Sequence, residues 1–474
     1  MITRKLLLAL VVSSMSGCMV GPDYQRPEVG LPASYRTHLA EPFSEVAGPW
    51  WGQFGSPTLT SLVNEGLRGN LDLQRATARI DQFRGQLRTV RAGLFPQLGL
   101  GGGAKRALSD QFVDTPLAGF DGVGNQYQAG LNASWEIDLW GKLRRQSEAA
   151  TAQLLGAQYA QRGVALSLAS SISEGYLNLL ALDEQLSIAE QTAQARKEAL
   201  DIFQKRYDRG VIRQIELSQA QNDYWSTQAT IPPLRAKISS AENSLSVLLG
   251  RNPGPIVRSE RLSALRPPTA PDVLPATLLS RRPDLLQAEQ AVVASNAMVG
   301  AAQALYLPDL NLSGMIGFSR GESGQLFESA SKVWNLALGL NQTVFDAGAI
   351  SGQVLQAKSE YQQSVLAYKG AVQSALADVN DALVGTRESA AQLAAVEQQV
   401  TALQTYSLQA RRLYEGGYST YLDVTTSEEK LFDGQLQEVN SRLAALNAFN
   451  TLYLAVGGEV GPDASLLFGP IVNR

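Results

Sequence analysis

Residues 127–141 read YQAGLNASWEIDLWG, and this stretch decides the fold. From Tyr127 to Leu139 the odd positions are apolar, whereas the even positions are polar or glycine. Alternation with a period of two over such a length predicts a long strand with one apolar and one polar face. Strands of this kind are typical of barrels that span an outer membrane.

Three further stretches alternate in a similar way. They are residues 98–105, which are rich in glycine, residues 310–318, and residues 334–344. The segments between them are rich in Gly, Asp and Ser, as hairpin loops are. Each half of the chain is therefore predicted to carry one β-hairpin, at about 97–139 and 309–345.

Two interpretations of these hairpins remain open. A soluble hairpin could lie half buried on helices, with its polar face in water. Alternatively, the apolar face meets lipid. Four strands cannot close a barrel, and an open sheet edge is not tolerated in lipid. A membrane location therefore requires several chains to pool their strands.

The chain repeats itself. Residues 141–250 and 348–457 align without a gap at a constant offset of 207 residues, and further upstream the offset becomes 212. The unit is longer than the roughly 20–50 residues of a solenoid repeat. The sequence therefore predicts two similar halves of one architecture, related by a pseudo-symmetry axis.

Each predicted hairpin is followed by a very long helix. Residues 142–209 contain no proline, and residues 349–416 are their counterpart of equal length. At about 1.5 Å per residue each helix extends about 100 Å. Apolar side chains at coiled-coil spacing and frequent alanine predict close helix packing. A second helix then returns, and Pro232-Pro233 predict a break or kink in the first return helix.

These features divide the chain into consecutive segments. Ser56-Pro57 predicts a helix start with serine as N-cap. The predicted segments are a signal peptide (1–17), a lipidated extended segment along the surface (18–55), a first repeat (56–250), a Pro-rich extended connector (251–283), a second repeat (284–457) and a C-terminal tail (458–474).

The amino terminus predicts export and lipidation. Arg4 and Lys5 precede a short apolar run that is too short to span a bilayer. Met15-Ser16-Gly17-Cys18 resembles a bacterial lipobox. After cleavage Cys18 would be the first residue and carry the acyl chains, palmitate among them, that hold the protein on a membrane. The alternative is an ordinary signal peptide with an incidental cysteine.

Composition limits the classes of function. A formal charge of −4 and a pI of about 5.4 give no reason to expect nucleic acid as a partner. One cysteine and one histidine exclude a disulfide framework and a His or Cys metal cluster within one chain. Glu136 and Asp138 share the polar strand face and are interpreted as water-facing. The residues give no positive evidence for catalysis, and no cofactor is expected.

Five motifs occur in a fixed order along nearly the whole mature chain. They are Cys18 followed by GPDYQRP (21–27), Trp50-Trp51, WEIDLWG (135–141), SRRPD (280–284) and Tyr421-Leu422-Asp423. Together they resemble the TolC-like outer-membrane efflux channel proteins, specifically the lipoprotein branch that serves multidrug pumps.

The resemblance implies a fold that is mainly α with membrane β. Three identical chains would pool four strands each into a 12-stranded barrel, continuous with a helical periplasmic barrel and a small mixed equatorial region. It also implies an outer-membrane location and two protein partners. These are a periplasmic membrane-fusion adaptor and an inner-membrane transporter, here of the RND type.

The resemblance further implies roles for the two helical turns at the periplasmic end. Gly210 with Val211 and Gly417 with Tyr418 would contact the adaptor. A simpler alternative is that the glycines only terminate helices.

A gate is implied near the second turn. Asp423 matches the family's aspartate at the constriction, and three copies would form an acidic ring. The neighbouring arginine of the family is missing, since Ser419 and Thr426 occupy the nearby positions. Tyr414 is therefore the candidate hydrogen-bond partner.

The expected function is passive exit of drugs or other small molecules through an outer-membrane duct, and hence multidrug and antibiotic resistance. Two alternatives remain: an exit duct for type I protein secretion, and a structural lipoprotein that spans the envelope without a pore. Metal-ion efflux is less favoured, because the mature chain has only Met19, Met298 and Met315 and no methionine cluster.

Overall fold

The computed structural model describes residues 19–37, 49–108, 123–267, 275–321 and 323–458. Within these ranges it contains long helices and four strands. The helices are α1 (Pro57–Gly69), α2 (Leu71–Ala92), α3 (Lys142–Asp208), α4 (Gln214–Leu248), α5 (Pro283–Ala304), α6 (Ala349–Glu415) and α7 (Tyr421–Ala455). The strands are β1 (Gln97–Leu108), β2 (Val123–Ile137), β3 (Asp309–Arg320) and β4 (Lys332–Asn341).

The bounds of these elements repeat along the chain. α5 and β3 begin and end 212 residues after α2 and β1, and α6 and α7 begin and end 207 residues after α3 and α4. The two long helices have 67 residues each, and the two return helices have 35 each. The order and length of the elements are therefore those that the sequence repeat predicts.

The four strands form one antiparallel sheet in the order β1-β2-β3-β4. Leu100 lies opposite Leu131, Leu131 opposite Ile316, and Ile316 opposite Trp334. Both predicted hairpins are present and pair with each other through β2 and β3. The last strand ends at Asn341, earlier than the alternation up to Val344 suggested.

The chain divides into two compact units. The first comprises Met1–Glu28, Arg79–Ala157 and Gln287–Lys369, and it holds the sheet. The second comprises Val29–Ala78, Gln158–Leu286 and Gly370–Arg474. Small side chains dominate one core cluster of the first unit, namely Ala149, Ala152, Ala294 and Ala297. Alanine at this contact allows α3 and α5 to pack closely.

The core of the second unit includes aromatic residues that precede α1. A 3₁₀ turn, Trp50–Phe54, buries Trp50, Trp51 and Phe54, and Trp50 stacks on Tyr453 of α7 with ring centroids 5.5 Å apart. The prediction that residues 18–55 lie along the surface is therefore wrong for the last part of this segment, where Trp50, Trp51 and Phe54 are buried. Burial of these large apolar rings outweighs the extended tendency of the proline-rich residues before them.

Two local predictions are corrected in part. α4 continues without a break through Pro232 and Pro233. Ile231 and Leu234 flank the prolines and pack into a buried cluster with Ala189, so tertiary packing holds the helix together.

The connector 251–283 is only partly extended. It contains 3₁₀ turns at Leu262–Ala264 and Pro275–Thr277 and a helical turn at Leu278–Arg281, and residues 268–274 lie outside the described ranges. Ile256 and Leu262 are buried in the core of the second unit. Packing of these apolar side chains therefore replaces part of the extended connector that the prolines predict.

Candidate functional site

One face of the sheet is apolar along all four strands. In the single chain Trp334 is 78% exposed and Leu100 is 84% exposed. A contiguous exposed apolar surface of this kind marks contact with lipid or with another protein. The apolar face consists of Leu98, Leu100, Tyr127, Ala129, Leu131, Ala133, Trp135, Ile137, Leu310, Leu312, Ile316, Phe318, Trp334, Leu336, Leu338 and Leu340.

The opposite, polar face carries mostly glycine, serine, asparagine and glutamine. Gly101, Gly130 and Gly317 form a row across three neighbouring strands. A Cβ on Gly317 would lie 2.3 Å from the carbonyl oxygen of Ala129, and one on Gly130 would lie 2.7 Å from that of Ile316. The close approach of β2 and β3 therefore requires glycine, and at this row the three strands carry no side chain on the polar face.

Charged side chains lie close together where β2 ends, β3 begins and α3 begins. Lys142 Nζ lies 2.6 Å from a Glu136 carboxylate oxygen and 3.0 Å from one of Asp309. Burial lowers the pKa of Lys142, but the two carboxylates outweigh it and the net shift is upward. Asp138 accepts a hydrogen bond from the backbone N–H of Arg144 at 3.0 Å and caps α3. Glu136 and Asp138 are therefore an ion-pair partner and a helix cap, not simply water-facing residues.

The first described residues lie beside this junction. Cys18 itself lies outside the described residues. The Val20 N–H donates to the Trp140 carbonyl oxygen at 3.0 Å. Further along, Nε and Nη2 of the Arg26 guanidinium donate to the two oxygens of the buried Glu289 carboxylate, at 2.8 and 2.6 Å. Bidentate pairs of this kind fix geometry, so the segment after Cys18 is held against the first unit.

The two helical turns at the far end of α3 and α6 have the same geometry. Gly210 and Gly417 have φ of +72° and +77°, the left-handed region that favours glycine. The next N–H in each turn bonds back to a carbonyl five residues earlier, at 2.9 and 2.8 Å, as in a Schellman motif. Val211 is 70% exposed and Tyr418 is 85% exposed. Each turn thus presents one apolar side chain at its end.

Asp423 caps the return helix. Its carboxylate accepts the backbone N–H of Thr420 at 3.1 Å and the Thr420 hydroxyl at 3.0 Å. Glu216, its counterpart in the first half, accepts the backbone N–H of Arg213 at 3.1 Å. Both acidic side chains therefore stabilise the first turn of α7 and α4 within one chain.

Tyr414 lies in an aromatic cluster that joins three helices. Its ring stacks on Phe203 of α3 with centroids 6.4 Å apart and contacts Tyr421 of α7 at 5.5 Å, while Phe203 and Tyr421 are 4.2 Å apart. Among the described residues no hydrogen bond joins Tyr414 to Asp423. We call Phe203, Tyr414 and Tyr421 the tip cluster.

Burial sets the ionisation of groups around the tip cluster. It raises the pKa of the Tyr414 and Tyr421 hydroxyls, so both rings are neutral at pH 7. Burial also raises the pKa of the Asp223 carboxyl, against the opposing effect of the nearby Arg196. The cluster is thus held by apolar contact and not by tyrosinate charge.

The described residues lack a membrane-spanning helix and a cluster of metal ligands. In the part of the chain that the structure describes, no helix is both long enough and apolar enough to cross a membrane. Within the same residues, no three His, Cys, Asp or Glu side chains lie together as ligands for a metal ion.

Comparison with known proteins identifies the family. A family model described as "outer membrane efflux protein" matches residues 62–251 and 274–458. The chain belongs to this family.

Individual relatives of this efflux protein match over nearly their whole length. Cation efflux system protein CusC of Escherichia coli strain K12 is 30% identical over 465 residues, which cover 96% of this chain and 99% of CusC. Toluene efflux pump outer membrane protein TtgC of Pseudomonas putida is 30% identical over 466 residues, 96% of each chain. The solved structure of the outer-membrane channel OprN has a TM-score of 0.86 at 27% identity and covers 94% of this chain and 100% of that one.

These likenesses confirm the predicted family, the fold class and the general function. The efflux protein is mainly helical with a membrane sheet and acts as an outer-membrane channel of an efflux pump. The family is one of channels rather than of enzymes.

Sequence reasoning missed two exposed residues at the turns of the efflux protein. Ile215 is 66% exposed and Leu422 is 60% exposed, each one helical turn beyond Val211 and Tyr418. Ile215 and Leu422 are also 207 residues apart, so each turn exposes a matched pair of apolar side chains. Comparison of the two repeats for apolar residues in the polar first turn of a helix could have found them.

Loss of the Asp423 cap gives a first prediction. Asp423→Ala is expected to destabilise the first turn of α7 by about 1 kcal/mol, because the Thr420 N–H loses its acceptor. Amide hydrogen exchange around Thr420 should speed up several-fold. Glu216→Ala is the matched control and should do the same to the first turn of α4 only. Unchanged exchange in Asp423→Ala would show that the cap contributes nothing.

Proposed function

We propose that this efflux protein is a homotrimer that provides passive exit for drugs or other small molecules from the periplasm to the exterior. Three sheets join edge to edge into a 12-stranded barrel. The apolar face meets lipid, and the polar face lines a hydrated lumen. Solutes diffuse through without chemical change, and the inner-membrane transporter supplies the energy.

The observation that carries the proposal is a four-stranded sheet with an apolar face and two free edges. Within the described residues, β1 and β4 each pair on one side only. Unpaired backbone N–H and C=O groups are costly in hydrocarbon, so the edges need partners. Pairing of β4 with β1 of the next copy satisfies both edges at once. Bacterial outer-membrane barrels have an even number of tilted antiparallel strands, and a barrel of 12 strands follows this rule.

The exposed apolar pairs at the turns support an adaptor-docking role. Val211 with Ile215, and Tyr418 with Leu422, form two matched apolar surfaces, and Gly210 and Gly417 allow the tight turns that present them. Small apolar anchors surrounded by polar residues are typical of helix-to-helix docking. A periplasmic adaptor with a helical end of its own fits these surfaces.

Lipidation at Cys18 is supported by the position of its neighbours. Val20 is hydrogen-bonded to Trp140, three residues beyond the end of β2. Cys18 is two residues away along the chain, so acyl chains on it would start close to the periplasmic rim of the sheet. Two or more acyl chains at that level give stable anchoring in the inner leaflet.

The gate is proposed at the tip cluster and Asp423. Phe203 belongs to the first helical hairpin, whereas Tyr414 and Tyr421 belong to the second. Their contact keeps the second hairpin against the first, and three copies of Asp423 place negative charge near the entrance. Adaptor binding at the adjacent apolar pairs would then favour separation of the hairpins.

The transporter partner is proposed to be of the RND type, as in the multidrug pumps that the sequence motifs resemble. The cargo class remains broad. CusC belongs to a cation efflux system and TtgC to a toluene efflux pump, and both are 30% identical to this chain. Equal similarity to both supports a duct whose cargo is selected elsewhere in the pump.

Reconstitution into planar bilayers tests the proposal. Purified wild-type protein should insert and give discrete conductance steps that increase when the adaptor is added or the entrance is opened. Passage of small solutes but not of an unfolded protein substrate supports efflux over type I secretion. Absence of conductance under all these conditions would support a scaffold without a pore and would contradict the proposal.

A further inference from the structure

Three basic side chains lie at the loop end of the apolar face. Arg320 pairs with Tyr127 across β2 and β3, and Lys332 pairs with Phe318 across β3 and β4. Arg106 of β1 lies beyond Ala104 on the same side, since alternate residues of a strand share a face. The three cations therefore point outwards with the apolar side chains and not into the polar face.

These cations have no protein partner of opposite charge in the part of the chain that the structure describes. None of the ion pairs there involves Arg106, Arg320 or Lys332. The apolar face itself carries no carboxylate, because the acidic strand residues Glu136 and Asp309 lie on the polar face. Among the described residues these three cations therefore have no anionic partner, and on a lipid-facing surface a lipid anion can supply one.

Their position along the strands corresponds to a membrane interface. The aromatic side chains Tyr127 and Phe318 lie directly opposite Arg320 and Lys332, and Trp334 lies one row further towards the aliphatic side chains. Aromatic girdles mark the level of the lipid headgroups. From Leu310 to Phe318 the strand rises about 27 Å, or about 21 Å along the membrane normal at a tilt of about 40°. The cations thus lie just beyond the hydrocarbon, at headgroup level.

The opposite end of the apolar face differs. Its last row consists of Ile137, Leu310 and Leu340, without a cation. The helices begin at this end, so under the proposed function it faces the periplasm, whereas the hairpin loops and the three cations face the exterior. The asymmetry of the sheet therefore matches a membrane whose outer leaflet is the more densely phosphorylated one.

We propose that Arg106, Arg320 and Lys332 form a binding site for the phosphate groups of a phosphorylated lipid in the outer leaflet. The inference rests on the proposed function, because it needs the apolar face to meet lipid. Guanidinium and ammonium groups bind phosphate oxygens through charge-assisted hydrogen bonds. The adjacent aromatic side chains contact the acyl chains, so a membrane lipid is favoured over free phosphate.

The experiment compares lipid binding to the purified full-length protein and to charge variants. Bisphosphorylated lipid A and dephosphorylated lipid A are titrated into detergent-solubilised protein, and bound lipid is counted by native mass spectrometry. A cation near an anionic lipid surface contributes about fivefold in affinity, so Arg106→Gln, Arg320→Gln and Lys332→Gln together should weaken binding on the order of 100-fold. Inorganic phosphate at millimolar concentration should not compete.

Lys105→Gln is the matched control. Lys105 is the neighbour of Arg106 but lies on the polar face, opposite Gln126, and its loss should leave lipid binding unchanged. Equal binding of both lipid A forms to wild-type protein would overturn the inference without any variant. Equal effects of Lys105→Gln and the triple variant would overturn it too.

The same preparations are tested for assembly and conductance, which separates the two proposals. A conducting trimer that does not discriminate between the lipids leaves the proposed function intact and removes this site. Protein that neither assembles nor conducts removes both.

Discussion

Gly317→Val is expected to abolish the assembled, conducting form of the protein. The Cβ of any larger residue would lie 2.3 Å from the Ala129 carbonyl oxygen and 2.5 Å from Gly130 Cα. Both neighbours are backbone atoms of the central strand pair, so they cannot rotate away as a side chain can. Forced expansion of a packed site costs typically about 1–3 kcal/mol, and more where the backbone must move. Separation of β2 and β3 would also displace the edges through which copies join.

The same substitution elsewhere on the polar face serves as the control. Gly103 lies in β1 opposite Gln128, and a Cβ there would meet nothing within 4 Å. Gly103→Val should keep wild-type assembly, because valine suits a strand and the site has room. Assembly is followed as a band that persists without heating in a detergent gel and disappears on boiling. A normal band and normal conductance in Gly317→Val would contradict the close approach of the two strands.

Tyr421→Ala is expected to open the entrance without the adaptor. Tyr421 is buried in the tip cluster and lies 4.2 Å from the Phe203 ring. Removal of a buried aromatic side chain costs about 3–5 kcal/mol. If about 3 kcal/mol of this is lost only from the closed arrangement, the ratio of open to closed channels rises roughly 100-fold. Single-channel recording should show a corresponding rise in the fraction of time spent in the high-conductance state.

Tyr418→Ala is the matched control for this experiment. It removes the same side chain three residues away, but Tyr418 is exposed and lies outside the tip cluster. We expect wild-type conductance and weaker adaptor binding, the reverse of the Tyr421→Ala phenotype. If both variants open the channel equally, or neither does, the tip cluster does not hold the entrance closed.

The sequence predicted the elements well because each had a local physical cause. The alternation around Trp135 has the period of a strand, and the second half of the chain shows the same pattern around Leu336. Ser56 and Pro57 mark the start of α1 through the cap and the preset φ of proline, and the Ser56 side chain accepts the Leu59 N–H as expected. Such signals depend on a few neighbouring residues, so they can be recognised before the fold is known.

The contacts of the candidate site could not be predicted from local sequence patterns. Lys142 meets Asp309 across a sequence separation of 167 residues, and Phe203 meets Tyr421 across two helical hairpins. The sequence offers Tyr414 as a hydrogen-bond partner for Asp423, whereas its ring packs on Phe203 and Tyr421. These pairings depend on strand order and helix register, which no local pattern specifies.

Packing also decided where local preferences conflicted. Pro232 and Pro233 disfavour helix, but the apolar neighbours Ile231 and Leu234 are buried and keep α4 continuous. Trp50 and Trp51 follow a Pro-rich segment that favours extended backbone, yet both are buried in the same core cluster as Tyr453. Here the free energy of burying large apolar groups exceeds the local backbone preference.

The central claim is that separate copies join their sheets into one barrel in the membrane. The most direct measurement is the mass of the protein extracted in mild detergent, with bound detergent subtracted by combining light scattering with ultraviolet absorbance and refractive index. The account predicts three chains per particle, and boiling should release single chains. A particle that contains one chain, with its apolar face covered only by detergent, would contradict it.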